Sequence, residues 1–182
     1  MNTSADRSVV VTDLGAKRER KQRFETLCVP LRADLYRFVY WLSRDRTLTE
    51  DVMQETWIRA WRSIDSLAES AAARSWLFTI ARRELARMFE RKQLPTVALD
   101  VATLSDVDAF MQHDNHEVVE MRRAILQLDL IHREPLLLQV LFGYSTEEIA
   151  QHLQISLPAV LTRLHRARHA LRERMIGQGA AV

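Results

Sequence analysis

The chain has 182 residues, 47% of them apolar and 27% charged, and a formal net charge of +2. That is the composition of a soluble globular protein of one ordinary or two small domains, and it excludes a disordered chain. Only four Gly and four Pro are present, which argues against a turn-rich β architecture and for long helices, so the expected class is all-α. A single cysteine, Cys28, excludes an intramolecular disulfide and fits a reducing compartment. The longest apolar runs, such as Leu136-Leu137-Leu138, are too short to cross a bilayer, and no apolar segment follows the charges near the N-terminus. No signal peptide and no membrane insertion are expected, and the cytoplasm is the expected location.

Residues 1–22 show no apolar period and end near the charged run Lys17-Arg18-Glu19-Arg20-Lys21; they are expected to be a flexible arm. From Phe24 onward Leu27, Cys28, Leu31, Leu35, Phe38, Val39 and Leu42 recur at helical steps. Pro30 should break that pattern, because it lacks a backbone donor. Thr47-Leu48-Thr49-Glu50 has the spacing of a capping box and predicts a helix start. The helix runs through Trp61, with Met53, Thr56, Trp57 and Ala60 inward. Asp51, Gln54, Glu55, Ile58 and Arg62 lie together on the outward face at about 100° per residue. A basic helix over 71–92 carries the stripe Leu77, Ile80, Ala81, Leu85 and Met88. Pro95 and the acidic stretch behind it mark a linker over 94–117, so the first domain is placed at 23–93.

The second domain is expected at 118–176, with a tail over 177–182. Met121, Ile125 and Leu128 form one face, and the next helix, over 131–142, carries Pro135 near its first turn. Gly143 suits a helix C-cap with positive φ. Ser145-Thr146-Glu147-Glu148 predicts a second capping box, and Ser156 caps a last helix with Pro158 in its first turn. No strand and no repeat is predicted.

Charge is distributed unevenly. Arg74, Arg82, Arg83, Arg87, Arg91 and Lys92 face only Glu84 and Glu90 in the first basic helix, and Arg163, Arg166, Arg168, Arg172 and Arg174 face only Glu173 in the last. The stretch 94–117 between them has no Lys or Arg and five acids. Two basic helices joined by an acidic strap point to two contacts with one polyanion. The short helix after Ser145, the turn Gln154-Ile155-Ser156 and the last helix form a helix-turn-helix around Ile149, Leu153, Ile155, Val160 and Leu164. In such a unit the start of the second helix meets base edges in the major groove. Ser156, Ala159, Thr162, Arg163 and Arg166 are the candidates here, Arg being able to pair bidentately with guanine.

Gly143-Tyr144-Ser145 with Glu148-Ile149-Ala150, and Arg163-Leu164-His165-Arg166-Ala167-Arg168, resemble the −35 reading domain of extracytoplasmic-function (ECF) sigma factors. Asp51-Val52-Met53-Gln54-Glu55-Thr56-Trp57-Ile58-Arg59-Ala60-Trp61 resembles that family's polymerase-binding helix. Arg74-Ser75-Trp76-Leu77 with Ile80-Ala81-Arg82 resembles its −10 reading helix. The resemblance covers about residues 24–175. It implies that Asp51, Gln54, Glu55 and Ile58 dock on the clamp helices of core RNA polymerase, and that Arg74, Trp76, Arg82, Arg83, Arg87 and Arg91 meet single-stranded −10 DNA. It also implies that the loop around 63–73 captures a flipped base, that the acidic linker threads the RNA exit path, and that an anti-sigma factor holds the protein inactive until a stress or envelope signal arrives. Family members usually carry Asn at the place of Arg83, an acid at that of Arg87 and Gly at that of Gln154. Their recognition helix opens Gly-Thr-Val-Lys-Ser-Arg where this one reads Pro158-Ala159-Val160-Leu161-Thr162-Arg163.

No phosphate loop, nucleophile elbow or His–Glu metal helix is present, so neither catalysis, nor a cofactor, nor a small-molecule substrate is expected. The pairs His165/His169 and His113/His116 lack further ligands at metal spacing. The competing reading is a stand-alone helix-turn-helix regulator with an N-terminal sensor or dimerisation domain. The outward Asp51–Glu55 face discriminates against it, because a sensor has no use for that face.

Overall fold

The computed structural model describes residues 4–92 and 116–179, with side chains described over 15–91 and 118–176. Most of the acidic linker therefore lies outside the described residues. Among these residues the regular structure is helical throughout. Four helices precede the linker: α1 Ser4–Leu27, α2 Arg32–Ser43, α3 Arg46–Ser63 and α4 Ala73–Lys92. Four follow it: α5 His116–Leu126, α6 Leu130–Val140, α7 Thr146–Leu153 and α8 Leu157–Gly179.

Several boundaries follow the local chemistry of the sequence. Pro30 sits in a single 3₁₀ turn, Val29–Leu31, that separates α1 from α2. Ser145 accepts from the Glu148 amide while the Glu148 carboxylate accepts from the Ser145 amide, a complete capping box. Gly143 takes φ +70°, and Gln154 is forced to φ 56° at the turn of the helix-turn-helix, a conformation that costs a residue with a Cβ about 1 kcal/mol. The predicted start at Thr47 is corrected: Asp45 is the N-cap of α3, accepting from the Leu48 amide, and Glu50 pairs instead with Arg46. An Asp two residues upstream takes the Leu48 amide first. Pro135 lies inside α6 rather than in its first turn.

The segment expected to be a flexible arm is helical from Ser4, and its last turns are docked. Arg20 donates to the carbonyls of Trp61 (2.6 Å) and Arg62 (3.0 Å) at the end of α3, and its guanidinium lies over the Trp61 ring. Arg23 donates to the Leu67 carbonyl. Phe24 packs edge-on against Trp57 and Trp61. Cations on the unpaired carbonyls of a helix C-terminus are favoured by charge and by hydrogen bonding alike. An apolar period could not reveal this docking, because arginines make most of it.

The two halves share one core. Phe38 of α2 and Phe78 of α4 meet Phe142, behind α6, with ring centroids 5.6 and 5.2 Å away. Arg133 of α6, 1% exposed, bridges two helix ends, donating to the carbonyls of Leu42 (2.9 Å) and Leu126 (2.8 Å). Arg44 also donates to the Leu126 carbonyl. Burial depresses the Arg133 guanidinium to about 9, and Arg44 beside it adds to the effect. Met121, expected inward on α5, is 39% exposed; the inward residues there are Arg122, Ala124 and Leu126.

Candidate nucleic-acid and polymerase interfaces

On α3 the residues Val52, Met53, Thr56 and Ala60 are buried, and Thr56 turns its hydroxyl back to the Val52 carbonyl. That fixes the helix's rotation and turns Asp51 and Gln54 fully to solvent, with Glu55 and Ile58 half-buried beside them. Neither Asp51 nor Glu55 has an ion-pair partner among the described residues. The expected four-residue face is therefore contiguous, acidic and uncommitted.

The candidate −10 residues divide into two groups. Arg74 lies over the rings of Phe78, Phe142 and Tyr144 at 5.7–5.9 Å, with Asp34 at 3.5 Å. Arg82 donates from Nε to Glu134 of α6 at 2.7 Å. Both are therefore engaged across the junction by the second half, and Trp76 is half-buried against the core. Arg83, Arg87 and Arg91 remain exposed, Arg87 leaning on Glu84 at 2.9 Å.

On α8 the core positions Val160, Leu164 and Ala167 are buried, which leaves Thr162 and Arg166 on the outer face and Ala159 and Arg163 at its margin. Ser156 caps the helix at 3.4 Å from the Ala159 amide, and the Thr162 hydroxyl donates to the Pro158 carbonyl. Leu157 and Leu161, which entered the sequence reading only as helix start and departure, are 37% and 51% exposed at the same end of α8.

Glu134 stands between the two basic surfaces. Burial raises its carboxyl above the ordinary range, against the pull of Arg82, Arg163 and Arg133. Periodicity did not single it out. His152 lies 3.1 Å from the Thr79 hydroxyl. That hydroxyl already donates to the Ser75 carbonyl, so the imidazole donates to it from Nδ1. Burial, then the charge of Arg82, lowers His152 to about 4.

The folded state thus binds this proton less tightly than the unfolded chain, whose histidine titrates near 6.5. Between about pH 6.5 and 4 the unfolded state carries the extra proton, so stability falls as pH falls. From pH 7 to pH 5 the loss due to His152 is about 2 kcal/mol. Denaturant titrations at the two pH values should show that loss, and His152→Gln should remove it. An equal pH dependence in the variant would refute the assignment.

Residues 29–94 match the Sigma-70 region 2 family and residues 119–171 the Sigma-70 region 4 family. The chain is 30% identical over 166 residues to the ECF RNA polymerase sigma factor SigX of Bacillus subtilis, spanning 85% of this chain and 84% of that one. It is 32% identical over 149 residues to SigL of Mycobacterium tuberculosis, spanning 77% and 81%. The sigma factor RpoE in complex with the anti-sigma factor NepR, from Bartonella quintana, has the same fold with a TM-score of 0.68 at 25% identity, over 84% of this chain and 96% of that one. CnrH, solved with the cytosolic domain of CnrY, is alike in fold with a TM-score of 0.62 at 22% identity, over 85% and 88%. A region 2 unit with an uncommitted acidic face, followed by a region 4 helix-turn-helix, places the chain in the ECF sigma factor family.

Proposed function

We propose that the chain docks on the clamp helices of core RNA polymerase through Asp51, Gln54, Glu55 and Ile58, and that the two basic helices read the two promoter elements. Arg83, Arg87 and Arg91 of α4, joined by Arg74, Trp76 and Arg82 once the halves part, meet the opened −10 strand. Ser156, Ala159, Thr162, Arg163 and Arg166 of α8 enter the −35 major groove. The protein acts in the cytoplasm, performs no chemical step of its own, and directs transcription of genes answering a stress or envelope signal. The observation that carries this reading is the α3 face, which is fixed in orientation by a buried opposite side and holds two carboxylates that nothing described in the chain neutralises.

An anti-sigma factor is the proposed regulator, since RpoE and CnrH were both solved with a protein partner, NepR and the cytosolic domain of CnrY. In this chain the closed arrangement already occupies Arg74 and Arg82, and a partner that favours closure would keep the −10 surface covered.

Run-off transcription with purified chain and core polymerase on genomic fragments tests the function. Promoter-specific transcripts support it; tight duplex binding without polymerase and no transcripts would favour a stand-alone regulator. Within that assay Arg166→Ala should weaken a −35-dependent promoter by about 1–3 kcal/mol, roughly 5- to 150-fold, because an exposed Arg at the groove-facing surface offers a bidentate base contact. Unchanged use of such a promoter would remove Arg166 from the reading surface.

A further inference from the structure

A cleft of about 310 Å³ lies between the C-terminal end of α3 and the middle of α4, lined by Arg59, Arg62, Ser63, Ile80, Arg83, Glu84 and Arg87. Its size is at the small end of ligand cavities, about 300–1,000 Å³. Four arginines and one carboxylate line it. Glu84 is nearly buried, and one of its oxygens, Oε1, holds Arg59 at 2.6 Å and Arg87 at 2.9 Å. Two of the four cations are thereby fixed in position without being fully neutralised. Arg62 and Arg83 have no carboxylate partner among the described residues, so the cleft keeps an excess of positive charge and a set of unused N–H donors.

We infer that this cleft is a phosphate-binding site, in which Arg62 and Arg83 grip the phosphoryl oxygens while Glu84 pre-orients Arg59 and Arg87 at the rim. Planar guanidinium forks match phosphate oxygens bidentately, and several can share one group. The lining has no aromatic ring, so it offers no platform for stacking a base. The Ser63 hydroxyl already donates to the Arg59 carbonyl, which leaves recognition to charge. Arg62 also lies one turn beyond Ile58 on the outward face of α3, so the site adjoins the proposed polymerase-docking face. The phosphoryl group can come from the backbone of the −10 strand, in which case the inference rests on the function proposed above, or from a free phosphorylated small molecule.

The test compares the full-length protein with Arg62→Ala/Arg83→Ala, two exposed positions whose loss leaves the core intact. Inorganic pyrophosphate is titrated against the free chain by calorimetry. A labelled twelve-nucleotide single strand is titrated against the chain assembled with core polymerase, over a range of salt and with a neutral methylphosphonate placed at each linkage in turn. A strand phosphate in the cleft predicts that one methylphosphonate position weakens the wild type and not the variant. The variant's salt slope then drops by about 0.7 for each phosphate it no longer neutralises, near fivefold in affinity per phosphate between 1 M and 0.1 M salt. A free ligand predicts that pyrophosphate binds the wild type alone, with no sensitive linkage. Identical pyrophosphate binding, strand affinity and salt slope in wild type and variant would overturn the site. Failure of the wild type to join polymerase would count against the proposed function, while the pyrophosphate titration would still decide the cleft.

Discussion

Replacing both Asp51 and Glu55 by Ala should abolish holoenzyme formation while leaving the fold intact. The two carboxylates stand one turn apart on α3, on the side opposite Val52, Thr56 and Ala60, and neither is committed to an ion pair within the described chain. Their removal therefore breaks nothing internal, and surface substitutions of this kind usually shift stability by no more than about 0.5 kcal/mol each. Truncating one member of a desolvated charge pair at an interface costs about 2–5 kcal/mol, so losing two should weaken polymerase binding by a thousandfold or more. Native gel or anisotropy titration with core polymerase reads the affinity, and thermal unfolding followed by circular dichroism reads the fold. Polymerase affinity within a few-fold of wild type would remove these residues from the interface. A fallen melting temperature would show that the face has an internal partner.

Where local chemistry decides structure, it was legible in the chain. The Ser145 and Glu148 pair, Pro30 and the core of the helix-turn-helix each stand where residue type and spacing place them, and Gly143 takes its expected positive φ, though two residues beyond the C-cap Leu141. What spacing does not carry is the identity of the surface an apolar stripe meets. Phe38, an expected stripe residue of α2, packs on Phe142 from the far side of the linker at 5.6 Å as well as on Phe78 of the first half at 5.0 Å. Phe78, outside the predicted stripe of α4, is fully buried because the second half covers it. The burial of Arg133 on α6 follows from two helix ends whose orphan carbonyls converge on it, which no spacing within α6 reveals. Arg20 is hidden in the same way, at the end of α3. The four-residue α3 face was legible because it depends on one helix alone. The sharing of Arg74 and Arg82 with the second half was not, since it depends on how two domains meet.

That meeting should come apart when Glu134 is reversed in charge. Its side chain is 9% exposed, bonded to Arg82 at 2.7 Å, and lies within the fields of Arg133 and Arg163. Glu134→Lys would set a fourth cation among three. Arg82, about a third exposed, would then face a cation in place of the carboxylate it is bonded to, a repulsion that its partial burial leaves weakly screened. Separation of the halves relieves that cost by returning Arg82 to water, so the variant should open rather than unfold. Small-angle scattering should show a larger radius of gyration at unchanged helix content, and affinity for single-stranded DNA should rise as Arg74 and Arg82 are released. Glu134→Gln, which keeps the shape, separates charge from packing: a double-mutant cycle with Arg82→Ala should give a coupling of about 1–3 kcal/mol. A Glu134→Lys protein as compact as wild type, with no gain in strand binding, would show that aromatic packing of Phe38, Phe78 and Phe142 holds the halves together without the ion pair.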